Sequence, residues 1–207
     1  MNEAALARTT YENELVTNFE AFVQHQQPAP TWTPVTPFDL ESRRIVEGKH
    51  PQLIIDTFGD EQILDYGCGP DQILVRLLQE RGADVYGYDP QLDGSERVVS
   101  LRCDGFYGLV ICREVLEHCT VKELVRVVRD LVRLSGQYIY VTTRFTKRPH
   151  HLLSVETEFD VDPTHITCLT KPFLRLLFVL EGCKSRPDLE EKMDWRGLGR
   201  CLVFEVP

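Results

Sequence analysis

Apolar residues along this chain alternate between two periods. From Pro51 onward, short apolar runs trade places with segments whose apolar residues recur every three or four positions, and these are the signatures of strands and helices. The runs Gln62–Tyr66, Asp84–Tyr88, Arg97–Arg102, Gly108–Cys112 and Tyr138–Thr143 read as five strands. Between the first two, residues 72–81 place Ile73, Leu74, Leu77 and Leu78 on one helical face and stop at Gly82. Thr120-Val121-Lys122-Glu123 is a capping box, and the helix it opens carries Leu124, Val127, Val128, Leu131 and Val132 inward until Gly136. Thr170, with Pro172 just inside, opens a further helix that runs to Gly182. Two strand candidates close the chain, near Cys183–Arg186 and Arg200–Val206. Alternating strands and helices predict an α/β fold with a doubly wound parallel sheet.

The first fifty residues follow a different pattern. Between Ala4 and Gln26, Tyr11, Leu15, Phe19, Phe22 and Val23 fall at helical spacing, and their apolar stripe needs a partner. The partner is either this domain or another subunit, so a homodimer through the N-terminal helix is one expectation. The Pro-rich stretch from Pro28 to Pro37 cannot continue a helix and reads as an extended connector. Asp39 caps a second helix, and Pro51 opens a short third one ending near Phe58. The division expected is an N-terminal helical extension with its connector over residues 1–50 and an α/β domain over 51–207.

Composition narrows the function classes. A formal charge of −9 argues against a broad nucleic-acid footprint, which needs a basic face. Seven cysteines without a C-x-x-C pair read as reduced thiols of a cytoplasmic protein, not as a disulfide framework or zinc knuckle. No apolar run reaches the length of a membrane span, and the polar first thirty residues lack a signal-peptide core.

The candidate chemistry begins at Ile63-Leu64-Asp65-Tyr66-Gly67-Cys68-Gly69-Pro70, with Asp89 ending the next apolar run. Strand, Gly-rich turn, helix, second strand and carboxylate form the order of a nucleoside-binding βαβ unit. Gly67 and Gly69 let a ligand approach the backbone, and the following helix points N–H groups over the turn. Asp89 lies about 20 residues past Gly69, where a carboxylate can accept from both ribose hydroxyls. A dinucleotide fingerprint would carry a third Gly where this chain has Gln72.

The order Asp65-x-Gly67-Cys68-Gly69 instead resembles the first motif of class I S-adenosylmethionine (SAM)-dependent methyltransferases. The run from Leu109 to His118, ending Glu114-Val115-Leu116-Glu117-His118, is similar to the same family. The resemblance covers residues 51–207, and its later part is similar to small-molecule methyltransferases of the ubiquinone-biosynthesis type. It implies a Rossmann-like, seven-stranded, mostly parallel sheet whose last strand is antiparallel. It implies SAM as cofactor, with Asp65 facing the ammonium of the amino-acid tail, the Gly67-Cys68-Gly69 turn against the tail and sulfonium, and Asp89 with Pro90 at the ribose. It places Asp104-Gly105 near the adenine and the backbone of Arg113 on the pocket wall. Asp104-Gly105 reads equally as a tight turn. Asp71 stands where the family carries its last motif glycine. It is either the N-cap of the helix or a carboxylate that repels the cofactor's own.

On the acceptor side the resemblance points to Asp162-Pro163-Thr164-His165-Ile166. His165 is the candidate for substrate contact or general base, because imidazole titrates near neutral pH. Ordering of its loop is the plainer role. Arg144 and Arg148 belong to a basic loop after the fifth strand, a candidate site for an anionic acceptor in an otherwise acidic chain. The intervening segment 144–162 is a candidate lid or substrate loop. His118 reads first as a structural histidine. His150-His151 lacks a third ligand at metal spacing, so no metal is assigned. The function expected is methyl transfer to an O or N atom of a small, anionic metabolite. The alternatives are an RNA or protein methyltransferase, or a catalytically silent methyltransferase-like subunit that binds a protein partner.

Overall fold

The computed structural model describes residues 23–24, 26–29, 45–59, 61–145, 164–167 and 169–207. Its elements, in chain order, are α1 (His50–Phe58), β1 (Ile63–Tyr66), α2 (Ile73–Gln79), β2 (Val85–Tyr88), α3 (Arg97–Ser100), β3 (Tyr107–Arg113), α4 (Val121–Leu134), β4 (Ser135–Thr142), α5 (Lys171–Leu180), β5 (Lys184–Ser185), α6 (Pro187–Met193) and β6 (Cys201–Glu205). One turn of 3₁₀ helix, Leu116–His118, joins β3 to α4.

Among the described residues the six strands form one sheet in the order β2-β1-β3-β4-β6-β5. The first four run parallel, and β6 lies antiparallel to β4 and to β5. The antiparallel last strand expected at residues 200–206 is therefore present. Six strands replace the seven expected, because the stretch read as a strand at Arg97–Arg102 is the short helix α3 and its exit. Local packing accounts for this. Tyr107 Oη donates to Val98 O at 2.7 Å and Arg133 Nη2 donates to Val99 O at 3.1 Å, so carbonyls a sheet would need are spent on side chains. The Arg102 guanidinium lies 4.3 Å from the Phe106 ring centroid, which holds the exit against the domain. β2 is left as an edge strand.

Both sheet faces are covered. Leu64, Val110, Cys112, Ile139, Val141, Leu202 and Phe204 pack with α4 and α5 on one side. Ile63, Leu109, Ile111, Tyr140 and Val203 pack with α1, α2 and α6 on the other. A strand buried on both faces reads as a continuous apolar run rather than an alternating one, which is why Gly108–Cys112 was legible. Each fully buried aliphatic side chain contributes about 1.5–3 kcal/mol relative to exposure.

Helix boundaries show where local chemistry acts. Thr120 Oγ1 accepts from Glu123 N at 3.3 Å while Thr120 N donates to Glu123 Oε2 at 2.8 Å, the reciprocal capping box read from the sequence. Thr170 Oγ1 caps α5 through Phe173 N. Gly136 does not end α4: the helix stops at Leu134 and Ser135 enters β4 directly, with Gly136 inside the strand. Its missing side chain makes room for Gly105, whose carbonyl a Cβ would strike. Nor is Asp71 the N-cap of α2. That position is Gln72, held in the left-handed region at φ 51° with no side-chain cap.

The N-terminal helix expected over residues 4–26 and the helix capped at Asp39 lie almost wholly outside the described residues. Glu47 and His50 are nonetheless buried against the sheet. His50 Nε2 accepts from the Tyr140 hydroxyl at 2.9 Å, and its Nδ1 donates to Glu47 Oε2 at 3.3 Å. Burial lowers the His50 pKa, consistent with a neutral ring in that hydrogen-bond chain.

Candidate active site

β1 and β2 pair in register, Asp65 opposite Gly87 and Tyr66 opposite Tyr88, so both strands deliver their next residues to one edge of the sheet. The turn after β1 is tied there by its own backbone. Gly67 N and Cys68 N both donate to Tyr88 O, at 2.7 and 3.0 Å. Gly69 N donates to Asp89 Oδ2 at 3.0 Å, and Gln91 N donates to Asp89 Oδ1 at 2.9 Å. The Asp89 carboxylate, only 8% exposed, therefore holds the glycine turn in place as well as standing at the strand end.

The two turn glycines serve different purposes. Gly67 has φ 82°, and a Cβ there would strike Val115 Cγ2 from the turn after β3. Gly69 has φ 70°, and a Cβ there would meet nothing within 4 Å. Gly67 thus lets the neighbouring turn close down, while Gly69 presents bare backbone to open space.

Asp65 is 3% exposed. Burial pushes its carboxyl up to about 7, Arg113 works against the shift, and Glu47 and Asp89 add to it. Arg113 ends β3 with its Nη1 3.2 Å from Glu47 Oε2. Burial opposes the Arg113 charge, yet Glu47 keeps its pKa above the ordinary value. Glu47 itself is held down at about 2: burial raises it, and hydrogen bonds from His50 and Arg113 more than offset that. The edge thus carries a carboxylate pair, Asp65 and Asp89, beside one neutralised Arg–Glu pair. Such an edge suits a cationic, hydroxyl-bearing ligand.

Pro90 follows Asp89 at this edge and is exposed. Two other expected cofactor residues do not reach it. Asp104 and Gly105 precede β3 and sit at the opposite edge of the sheet, where Gly105 N donates to Arg133 O at 2.8 Å and Asp104 Oδ1 lies 3.4 Å from Arg133 Nη1. The turn reading of Asp-Gly is the correct one. With α3 in place of a strand, the chain returns across the sheet before Asp104 instead of after it.

The residues expected on the acceptor side gather at the turn after β3. Glu114 adopts φ 51°, and its N–H donates to Thr142 O at 2.8 Å. Its Oε2 lies 3.9 Å from Arg144 Nε. Glu117 is 1% exposed, and its Oε2 accepts from the Thr143 hydroxyl at 2.7 Å. Burial pushes its carboxyl up to about 8, and the Glu114 carboxylate adds to the rise. The Glu117 carbonyl accepts from Ile166 N and Thr167 N, at 2.9 and 3.0 Å, which brings His165 beside His118. Their rings meet edge to face with centroids 4.8 Å apart. Gln26 seals this junction: its Nε2 donates to Ile166 O at 3.1 Å and Thr167 Oγ1 at 2.8 Å, and its Oε1 accepts from Val121 N at 2.8 Å. Arg148 and most of the candidate lid at 144–162 lie outside the described residues. Glu117 and Gln26 were missed by sequence reasoning. Glu117 had a signal, since it sits in the motif-like run before a capped helix, whereas Gln26 had none.

Comparison with known proteins bears on this edge. A family model described as "Methyltransferase domain" matches residues 36–184. A search of curated protein sequences finds no match. Solved structures share the fold. A SAM-dependent methyltransferase from Archaeoglobus fulgidus is 15% identical, with 79% of this chain and 94% of that one covered and a TM-score of 0.57. Magnesium protoporphyrin IX methyltransferase from Synechocystis PCC 6803, with bound SAM, is 14% identical over 100% of this chain and 98% of that one, at a TM-score of 0.51. A putative methyltransferase in complex with the Trm112 methyltransferase activator of Haloferax volcanii is 14% identical, covering 81% and 91%, at 0.52.

Proposed function

From the premise that this chain belongs to the methyltransferase-domain family and takes SAM as its cofactor, we propose that it methylates an oxygen or nitrogen of a small, anionic acceptor. The observation that carries the reading is the backbone-clamped Gly67–Gly69 turn with Asp65 and Asp89 at the adjacent strand ends. The residues fit the cofactor: Gly69 opens onto free space, and the two carboxylates face a ligand that combines a cation with ribose hydroxyls.

In this reading Asp65 meets the ammonium of the amino-acid tail and Asp89 the ribose hydroxyls, with Cys68 and Pro90 flanking. Arg113, already paired with Glu47, shapes the pocket wall. When bound, SAM supplies an activated methyl group on a sulfonium. What the chain supplies is alignment, which alone can lower a barrier by several kcal/mol. Arg144, two residues past the end of β4, attracts an anionic acceptor together with Arg148, and His165 contacts it. Free cysteines and the absence of a helix long and apolar enough to cross a membrane, both among the described residues, support a cytoplasmic setting.

Calorimetric titration of the pure chain with SAM and S-adenosylhomocysteine, followed by methyl transfer from labelled SAM to pooled anionic metabolites, tests the proposal. Micromolar binding and label transfer to a small molecule are expected. A second reading is a methyltransferase-like subunit that needs a partner, as the Haloferax protein is seen with its activator. Binding without transfer to any small acceptor would favour it, and absence of both binding and transfer would overturn the enzyme reading for the isolated chain.

A further inference from the structure

We propose that Glu117, His118 and His165 form a binding site for one divalent transition-metal ion on the acceptor side of the glycine turn. One ligand atom from each, a carboxylate oxygen and two imidazole nitrogens, lies within 4.8 Å of the other two. A tetrahedral zinc site, with bonds near 2.0–2.1 Å to nitrogen and oxygen, needs its donors roughly 3.4 Å apart, so rotations of a few side-chain torsions close the gap.

Three further features make this a built site rather than a chance encounter. Glu117 is 1% exposed, and while its Oε2 is fixed by Thr143, its Oε1 is buried with no N–H or hydroxyl donor among the described residues. A buried carboxylate oxygen left unmatched is costly; a proton or a cation satisfies it, and a bound ion takes the proton's place. His118 Nδ1 lies 3.1 Å from Thr164 O. A carbonyl only accepts, so the ring proton sits on Nδ1 and the lone pair on Nε2, the orientation seen where a backbone carbonyl aims a ligating histidine. Finally, the two segments that supply the ligands are spliced by backbone: Ile166 N and Thr167 N both donate to the carbonyl of Glu117 itself. The site is therefore held by the main chain, whatever its side chains carry.

Donor chemistry selects the ion. Two imidazoles and one carboxylate suit zinc, cobalt, manganese or iron, whereas calcium and magnesium prefer oxygen cages. Three protein ligands leave coordination positions open, as in metal sites that bind substrate. Val115, two residues before Glu117, packs against Gly67, so the open side belongs to the same sheet edge as the cofactor turn. The occupant that fits those positions is an oxygen donor of the acceptor, which favours a hydroxyl or carboxylate acceptor over an amine. This last step rests on the methyltransferase reading, but ion binding itself does not. It also assigns His165 as a ligand, which removes its lone pair from service as a base.

The test uses the full chain stripped with chelator. Titration with Co²⁺, followed by its visible absorption, and then displacement by Zn²⁺ reads occupancy without any turnover. One ion per chain is expected, with affinity reduced by about 100-fold or more in His165→Ala. His165 is half-buried, so this variant tests the site without opening the core, and circular dichroism and SAM titration of the same sample confirm its fold. Glu117→Gln, which keeps the Thr143 hydrogen bond in reach, is the second variant and is expected to weaken binding in the same direction. No cobalt spectrum from the wild type, or equal affinity in wild type and His165→Ala, would overturn the proposal. SAM binding without metal binding sinks this inference alone. Metal binding without SAM binding leaves it standing and sinks the methyltransferase reading of the isolated chain.

Discussion

Replacing Asp89 tests two roles assigned to one carboxylate, the tether of the glycine turn and the proposed contact with the cofactor ribose. Its Oδ2 accepts from Gly69 N at 3.0 Å and its Oδ1 from Gln91 N at 2.9 Å, so the group organises the glycine turn before any ligand arrives. A hydrogen bond to a charged acceptor is worth about 1.5–3 kcal/mol. Losing one such bond to the cofactor ribose alone predicts a Kd for SAM raised roughly 10- to 100-fold in Asp89→Ala. Loss of the Gly69 tether adds to this, because the turn must then be ordered at the moment of binding. Asp89→Asn is not a gentle control. Its amide keeps one acceptor and turns the other into a donor facing a backbone N–H, so it should also bind SAM more weakly than wild type. Isothermal titration with SAM and S-adenosylhomocysteine, alongside thermal melts, reads both effects. The melting temperature should fall in both variants, because two backbone donors lose an ionised partner. An unchanged Kd in Asp89→Ala would refute the ribose assignment, and an unchanged melting temperature would refute the tether.

Two further outcomes follow from the same edge. Burial raises the Asp65 carboxyl from an ordinary 3.8 to about 7, so the native state holds its proton more tightly than the unfolded chain. That contribution to stability is complete below about pH 4 and is lost as pH rises through about 7. Urea midpoints should therefore fall over this window, Asp65→Asn should flatten the slope, and SAM affinity should rise with pH as the carboxylate forms. A slope of the opposite sign in the wild-type-minus-Asn difference would defeat the argument. Gly67→Ala should cost about 1–3 kcal/mol through its clash with Val115 Cγ2 and its positive φ, with part recovered by adding Val115→Ala. A single variant that melts with the wild type would show that the two turns do not pack as described.

What the sequence disclosed, and what it hid, divides along a physical line. Interactions local in the chain were legible: the Thr120 and Thr170 caps, the glycine turn, the doubly buried strand around Val110, and the antiparallel strand ending near Val206. Arg97–Arg102 misled because Val98 and Val99 are as compatible with a short helix as with a strand. The choice was made by Tyr107 and Arg133, residues beyond any local window. α6 was overlooked although Pro187 and two early acids mark its start, because the run is short and follows a two-residue strand. Asp104 shows the reach of one such error, since its assignment to the cofactor assumed the missing strand. The Glu117–His118–His165 cluster was illegible for a different reason. Its ligands are brought together by backbone bonds from Ile166 and Thr167, and no spacing rule encodes them.

The side chain of Gln26 carries a consequence for the order in which the molecule is completed. Its partners lie 95, 140 and 141 residues further along the chain. During synthesis the glutamine emerges early and has nothing to bind until the segment ending at Thr167 has been made and has docked on Glu117. Three modest bonds across such separations cannot nucleate folding, because loop closure must be overcome before they contribute. They can only register that β3, α4 and the His165 segment are already in place. The clamp is thus a late seal on the acceptor edge, and the edge stays open in every partly made chain.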